Sequence, residues 1–230
     1  MKISIIMPAY QEGEAIIVKL VTLLNMAADF ELIVIDSSSV EQFKQVRDRL
    51  DADVHSNRLM YLAADQKGRA LQMNQGARVS QGEILLFLHA DTNLPANALN
   101  SIVQGLKRNW RWGRFDVRFD QTTWPFKMIA YMMNMRSRKT GIATGDQALF
   151  MSKAAFDVVG GFNEIALMED IAMSKKLKSI GAPLCLRAQV QTSARRWQKK
   201  GVIKTIVLMW AIRLSYFLGA SPERLARWYK

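Results

Sequence analysis

The tripeptide His89-Ala90-Asp91 lies where a run of apolar residues gives way to polar ones. The apolar run, at residues 83–88, predicts a buried strand, which would hold the next side chains rigidly and leave them accessible. A carboxylate in that position is a suitable ligand for Mg²⁺ or Mn²⁺, which prefer oxygen ligands and substrate phosphates. Asp91 could equally cap the following helix, a role that Thr92 could share. From the tripeptide alone, metal binding and helix capping stay equally open.

Two adjacent acids, Glu169 and Asp170, begin a predicted helix over residues 169–180. Acidic residues in a first helical turn interact favourably with the helix dipole, so simple capping would explain the pair. In the functional interpretation, one of the two carboxylates is a general base that deprotonates an acceptor hydroxyl. The spacing gives no geometry, and both interpretations stay open at this point.

Polar residues at two other element ends could contact a nucleotide. Asp36 follows a predicted strand at residues 31–35, and an acid after the second strand of a nucleotide-binding sheet often bonds a ring or ribose hydroxyl. Lys67 and Arg69 flank Gly68 at the start of a helix, where cations could contact phosphate. Taken singly, Asp36 with its following serines favours a turn, and the basic tripeptide favours an exposed loop.

A basic, aromatic segment precedes an apolar one near the C-terminus. Arg196 and Trp197 could bind a diphosphate and stack on a sugar or base, or they could form a basic surface patch. Residues 202–218 could lie in a membrane interface, cover the sheet as a core helix, or self-associate. Lys204 and Arg213 would lie on opposite sides of an ideal helix, which favours the core or self-association role.

The elements that must position these residues alternate regularly through the first hundred residues. Apolar runs that predict strands alternate with segments of helical spacing. The strands are expected at 3–7, 31–35, 59–62 and 83–88, and the helices at 14–26, 40–50, 67–79 and 95–110. In the less regular second half, a strand is expected at 112–120 and helices at 126–135 and 154–159. This order predicts an α/β fold with a mostly parallel sheet, which would bind ligands at the carboxyl ends of its strands.

Composition narrows the class of protein. The chain has 230 residues, enough for one α/β domain, and its two His and single Cys exclude a disulfide framework and a Cys-rich zinc site. The first hundred residues carry 9 Lys and Arg against 12 Asp and Glu, whereas the remainder carry 23 against 8. A basic half of this kind suggests an anionic partner. Because no apolar run is long enough to span a membrane, we expect a cytoplasmic protein that could bind peripherally at the inner face of the membrane.

The motifs, taken in order, resemble those of family 2 glycosyltransferases. The run IIMPAYQE at residues 5–12 resembles the family's opening strand and P-x-(Y/L)-N-E motif, and IVID at 33–36 resembles its V-V-D strand end. His89-Ala90-Asp91 occupies the place of the family's D-x-D motif, with His89 in place of the first acid. Longer motifs, including TGIATGDQ at 140–147 and TSARRW at 192–197, are similar to those of the radical-SAM/selenodomain-associated transferase 2 subgroup.

The resemblance implies a GT-A fold and a nucleotide-diphosphate sugar donor whose sugar moves to an acceptor hydroxyl. It implies a nucleotide site made by Pro8, Tyr10, Glu12, Asp36, Lys67 and Arg69. It implies Mg²⁺ or Mn²⁺ on Asp91, with His89 as a second ligand or a ribose contact. Asp170, with Glu169 as the alternate, would be the base of an inverting transfer. The acceptor side and the diphosphate would be contacted by Gly145, Asp146, Gln147, Arg196 and Trp197.

We therefore predict a GT-A domain at residues 1–200, with a nucleotide-binding half at 1–100 and an acceptor half at 101–200. A basic, apolar helical segment follows at 201–230. The expected partners are a nucleotide-sugar donor, an acceptor that could be lipid-linked, and either an anionic membrane or a second copy of the chain through 202–218.

Two other functions remain open. A nucleotidyltransferase would use the same Asp36 and Asp91, but it usually has a Gly-rich loop after the first strand, where this chain has Pro8-Ala9-Tyr10. A non-catalytic protein could bind nucleotides or anions through the basic half. Nucleic acid is not an expected partner, because no DNA-binding motif is recognised.

Overall fold

A computed structural model of the chain describes residues 1–54 and 56–229. Within these residues, strands from both halves of the chain form a single eight-stranded sheet. The strands are β1 Ile3–Ala9, β2 Phe30–Asp36, β3 Leu59–Ala63, β4 Ile84–Phe87, β5 Thr92–Asn93, β6 Trp112–Phe119, β7 Phe150–Ser152 and β8 Leu184–Thr192. The helices are α1 Ala15–Leu24, α2 Val40–Asp53, α3 Arg69–Val79, α4 Ala98–Lys107, α5 Trp124–Thr140, α6 Lys153–Val158, α7 Glu169–Lys178, α8 Arg195–Lys200, α9 Val202–Phe217 and α10 Pro222–Tyr229.

The strand order is β3-β2-β1-β4-β7-β6-β8-β5. The four strands from the first hundred residues that begin this order are all parallel. Every residue of β2 and of β4 is buried, as expected for apolar runs covered by helices on both faces of a sheet. The predicted α/β fold with a mostly parallel sheet is confirmed. Polar side chains therefore collect at the carboxyl ends of β1, β2 and β4.

The second half extends the sheet with a change of direction. β7 is antiparallel to both β4 and β6, whereas β6 and β8 are parallel to each other. The short strand β7 thus joins the four parallel strands to the later strands. The 3₁₀ turn Gly145–Gln147, just before β7, is carried to the same edge of the sheet as the residues after β4.

Several predicted helices have different limits in the structure, among them α4 and α5. α4 begins at Ala98 and ends at Lys107, inside the predicted span of 95–110. It ends early because Asn109 has a left-handed backbone conformation with φ of 65°. α5 is longer than the predicted 126–135, since Trp124-Pro125 begins it and Gly141, with φ of 68°, ends it. The longer α5 brings Arg136 and Arg138 within one helix.

The C-terminal helices pack on the domain through few residues. In α9 only Thr205 and Ile212 are buried, so the prediction that this segment covers the sheet as a core helix is wrong. Ile212 and Leu225 of α10 are fully buried against Met168 and Ile171, which belong to the start of α7. No helix among residues 1–54 and 56–229 is long and apolar enough to cross a membrane.

Candidate active site

Asp36, at the end of β2, is buried and held through both carboxylate oxygens. Its Oδ1 accepts hydrogen bonds from the backbone nitrogen of Ser38 at 2.8 Å and from the Ser38 hydroxyl at 2.5 Å. The Tyr61 hydroxyl donates to Oδ2. Burial and the hydrogen bond to Asp36 raise the pKa of Tyr61, so the phenol keeps its proton and remains a donor. The Asp36 carboxylate is therefore fixed at the carboxyl end of β2, where the sequence predicted it.

Gln72 on α3 fixes the carboxyl ends of β1 and β2 relative to each other. Its buried amide donates to the carbonyl oxygens of Ala9 at 2.8 Å and Ile35 at 2.7 Å. No spacing or residue-type pattern predicted this role for Gln72, because a glutamine on a helix is usually solvated. By bonding one carbonyl from each strand, the amide ties together the two strand ends on which the site is built.

Tyr10 and Lys67 form the outer side of this edge. Tyr10 is exposed, and the Lys67 ammonium lies 3.8 Å from the centre of its ring. Between Tyr10 and the Ser38 hydroxyl, Gln11 adopts a left-handed conformation with φ of 55° and donates its backbone N–H to Ser38 at 2.8 Å. An aromatic face beside a cation could receive a base and a phosphate. Pro8 lies within β1 opposite Ile35, and its contact with a nucleoside stays a prediction.

A cleft of about 250 Å³ lies between the end of β4 and the end of β8, lined by Glu12, Asp91, Asp120 and Arg195 among others. Burial raises the pKa of Glu12, and the charges of Asp91 and Asp36 act in the same direction, against the opposing effect of Arg195. An acid whose pKa is raised by neighbouring carboxylates indicates a site that a cation would stabilise.

Lys19 of α1 supplies a cation close to Asp91. Its ammonium donates to the carbonyl of Thr92 and, at 2.5 Å, to the side chain of Asn93. Burial lowers the pKa of Lys19 to about 8, although the charge of Asp91 opposes that shift. Lys19 therefore places one partly desolvated positive charge near Asp91.

His89, Asp91 and Asp146 bring three ligand-type atoms within 4.8 Å of one another. His89 Nδ1 is 3.6 Å from Asp146 Oδ1. With metal–ligand bonds of about 2.1 Å, two ligands of one ion can be up to about 4.2 Å apart, so this separation is compatible with a shared ion. The imidazole packs directly on Gly145, where any side chain would overlap the ring. Gly145 thus permits the approach of Asp146 to His89.

Neighbouring groups stabilise the ionised form of the Asp146 carboxylate. Burial acts to raise the pKa of Asp146, but the nearby His89 imidazole and the charges of Arg69 and Arg196 outweigh it and hold the pKa below its usual value. An ionised carboxylate beside an imidazole is a suitable pair of metal ligands. The sequence had predicted only an acceptor-side position for Asp146.

The acids at the start of α7 have different environments. Asp170 is partly exposed and accepts hydrogen bonds from the backbone nitrogen of Gly145 at 2.9 Å and of Ile171 at 2.7 Å. Glu169 is buried and pairs with Arg69 at 3.3 Å. Burial raises the pKa of Glu169, and the nearby charge of Asp170 acts in the same direction, whereas that of Arg69 lowers it.

The backbone before these acids is strained. Met168, at the position before Glu169, is buried and has φ of 71°, an unusual conformation for a residue with a side chain. A small pocket beside it is lined by His89, Gly145, Glu169 and Asp170, among others. The group formed by His89, Asp91 and Asp146 therefore lies next to the two acids of α7 at this pocket.

Arg196 and Trp197 are adjacent in the chain, but their side chains contact different residues. The guanidinium of Arg196 lies 4.1 Å from the centre of the Tyr229 ring, and Trp197 packs edge-on against Phe119. The neighbouring Arg195 lines the cleft with Asp91 instead. The diphosphate role of Arg196 and Trp197 stays a prediction. Arg195, which belongs to the same basic motif at residues 192–197, is the one of the three that lines the cleft.

Comparison with known proteins identifies the family. A sequence profile described as Glycosyl transferase family 2 matches residues 4–159. The chain belongs to glycosyltransferase family 2. Its membership in the radical-SAM-associated subgroup stays a prediction. No curated protein matches the chain.

Solved structures similar to this family 2 chain include three of TarS from S. aureus. TarS 1-349 superposes with a TM-score of 0.65 at 16% identity, covering 84% of this chain and 61% of that one. Its complex with UDP gives 0.65 at 18% identity, with 84% and 60% covered. Its complex with UDP-GlcNAc gives 0.63 at 16% identity, with 84% and 58% covered. The likeness confirms the GT-A fold, and this chain spans about 60% of the length of TarS 1-349.

Proposed function

We propose that the protein is a glycosyltransferase that moves a sugar from a nucleotide diphosphate to an acceptor hydroxyl, with inversion and with the help of a divalent ion. One observation carries the proposal. The group formed by His89, Asp91 and Asp146 joins the cleft that contains Glu12 to the pocket that contains Asp170. A donor bound along the strand ends would thus present its diphosphate to the metal group and its sugar to a carboxylate.

The residues of this group fit a divalent ion. Two carboxylates and one imidazole are typical ligands for Mn²⁺, whereas Mg²⁺ favours oxygen ligands alone. When bound, the ion would neutralise the charge of the departing diphosphate. Glu12 and Lys19 would adjust the charge of the same cleft, since both lie near Asp91.

Asp170 would act as the base. As the acceptor oxygen bonds to the anomeric carbon and the bond from that carbon to the diphosphate oxygen breaks, the hydroxyl proton passes to Asp170. Its partial exposure and its two backbone hydrogen bonds leave further lone pairs free in a fixed orientation. Glu169 would instead orient Arg69 through their ion pair.

A thermal-shift screen of nucleoside diphosphates with Mn²⁺ or Mg²⁺ tests the proposal. Uridine diphosphate comes first, because TarS structures hold UDP and UDP-GlcNAc. We expect a metal-dependent rise in melting temperature, since a ligand of the native state stabilises it. Replacement Tyr10→Ala should weaken binding by about tenfold through lost stacking, whereas Tyr131→Ala, at another exposed tyrosine, should not.

One result of this screen and one result of an activity assay would contradict the proposal. The first is the absence of a shift with every nucleotide, with or without metal. The second is release of pyrophosphate from a nucleoside triphosphate, which would assign nucleotidyl transfer. Transfer of sugar with release of the nucleoside diphosphate is the expected reaction.

We further propose that α9 docks on an anionic membrane. Five apolar residues on one side of the helix are between 59% and 78% exposed, namely Ile203, Val207, Trp210, Leu214 and Phe217. Exposed Lys199 and Lys204 adjoin this stripe. A second copy of the chain would bring the same positive charges against these lysines, whereas an anionic bilayer would neutralise them. Charge complementarity therefore favours membrane over self-association.

Flotation with vesicles tests this docking. The protein should float at low salt with vesicles of phosphatidylcholine and phosphatidylglycerol in equal parts, and much less with phosphatidylcholine alone. The double replacement Trp210→Ser and Leu214→Ser should weaken binding by at least about tenfold, because two apolar contacts are lost. Val18→Ser with Val158→Ser is the matched control at exposed valines elsewhere. Failure to float at low salt, with a dimer seen by light scattering, would favour self-association.

A further inference from the structure

Two arginines near Asp170 have buried guanidinium nitrogens without partners. Nε and Nη2 of Arg136 on α5 and Nε of Arg213 on α9 are shielded from solvent and make no hydrogen bond within the described part of the chain. Neither arginine takes part in an ion pair between the residues that the structure describes. Buried donors of a charged group are almost always satisfied, so these atoms need an explanation.

The two guanidinium groups also repel each other. Burial lowers the pKa of Arg136 to about 10, and the charge of Arg213 adds to this effect while that of Asp170 opposes it. Burial likewise lowers the pKa of Arg213, against the charges of Asp170 and Asp146. Two like charges held together out of water are unfavourable unless a counter-ion binds. The arrangement is typical of a site that an anion fills.

The position of α9 places this pair on the acceptor side. Ile212, next to Arg213, is buried against Met168 and Ile171, which flank the two acids of α7. The donor cleft has other lining residues, among them Glu12, Asp91 and Arg195. An anion bound by the arginine pair would therefore lie beside the base and apart from the cleft that takes the nucleotide.

We infer that the acceptor carries a phosphate group, which Arg136 and Arg213 bind beside Asp170. This inference rests on the proposed function and names its acceptor class. Phosphate fits better than carboxylate, because two guanidinium forks offer more donors than two carboxylate oxygens can accept. The phosphate can belong to a soluble phosphorylated molecule or to a lipid phosphate.

Titration of the metal-free protein with inorganic phosphate tests the subsite without any nucleotide. Arg136→Gln and Arg213→Gln should each weaken phosphate binding by about tenfold or more, since each removes charge-assisted hydrogen bonds. Arg187→Gln, at an exposed arginine on β8, should change it less than about twofold. Unchanged phosphate affinity in both subsite variants would overturn the inference.

Melting temperatures separate a binding role from a structural one. In phosphate-free buffer the two subsite variants should melt at the same temperature as the wild type or higher, because each relieves a like-charge repulsion. Lower melting temperatures together with unchanged phosphate affinity would indicate that the arginines only support the fold, and would overturn the inference.

Nucleotide binding separates this inference from the proposed function. The subsite variants should keep wild-type affinity for the nucleoside diphosphate and Mn²⁺. If they lost nucleotide and phosphate affinity equally, the pair would belong to the donor diphosphate and the inference would be wrong. If the wild type bound no nucleotide at all, the proposed function would fail while the phosphate titration still tested the subsite.

A decyl phosphate probe distinguishes the two phosphate sources. Binding much tighter than that of inorganic phosphate, and dependent on the same arginines, would indicate a lipid phosphate. Equal affinity of the two probes would indicate a soluble phosphorylated acceptor.

Discussion

Asp146→Asn is expected to lower Mn²⁺ affinity as strongly as Asp91→Asn, by at least about a hundredfold in each case. Both carboxylates belong to the group with His89, and removal of either leaves two ligands and one less negative charge. Sugar transfer should fall in parallel, because the diphosphate would depart without its counter-ion. Mn²⁺ titration by calorimetry with the donor nucleotide present, followed by rate measurements, checks both effects.

The surface acid Asp65 provides the matched control for this comparison. Asp65 is exposed and pairs with Arg78, so Asp65→Asn should leave metal affinity unchanged. His89→Asp, which restores two acids in the family's motif, should shift the preference from Mn²⁺ towards Mg²⁺. If Asp146→Asn bound Mn²⁺ as tightly as the wild type while Asp91→Asn did not, Asp146 would be an acceptor-side residue alone.

Asp170→Asn is expected to lower kcat by about 10²- to 10⁴-fold while the affinity for the donor nucleotide stays unchanged. The amide keeps the size of the side chain but cannot take a proton. It can accept only one of the two hydrogen bonds from Gly145 and Ile171, because these reach different carboxylate oxygens of Asp170. Stopped assays of transfer under saturating donor, together with nucleotide titration, separate the two quantities.

Glu169→Gln and Asp157→Asn complete the experiment on the base. Asp157 is exposed on α6, and its replacement should have no effect on kcat. Glu169→Gln should destabilise the fold, because it leaves the Arg69 charge without its buried partner, yet folded protein should retain more activity than Asp170→Asn. A larger loss of kcat in Glu169→Gln than in Asp170→Asn would transfer the role of base to Glu169.

The sequence identified the parallel part of the sheet because its signals are local. β1, β2 and β4 are continuous apolar runs, and such runs are buried on both faces only in a covered parallel sheet. Once that sheet was predicted, the polar residues after each run had to meet at one edge. Asp36 and Asp91 were found in this way, and the family assignment from the order of motifs is confirmed.

The tertiary structure alone decided which distant residues share the site. Arg69 and Glu169 are 100 residues apart and form an ion pair, and Asp146 reaches His89 through a turn without any periodic pattern. The position of that turn depends on β7, which pairs antiparallel with β4 and β6. A strand of three residues is too short for its sequence pattern to predict which strands it pairs with.

The same limit applies to the C-terminal segment. The spacing of Lys204 and Arg213 argued against one polar face, yet the structure turns Arg213 inward towards Asp170 and leaves an apolar stripe exposed. An arginine on a helix has the same sequence signature whether it faces solvent or a buried anion site. Periodicity determines the elements of this protein, whereas packing between elements determines which charges meet, because that energy depends on contacts remote in the chain.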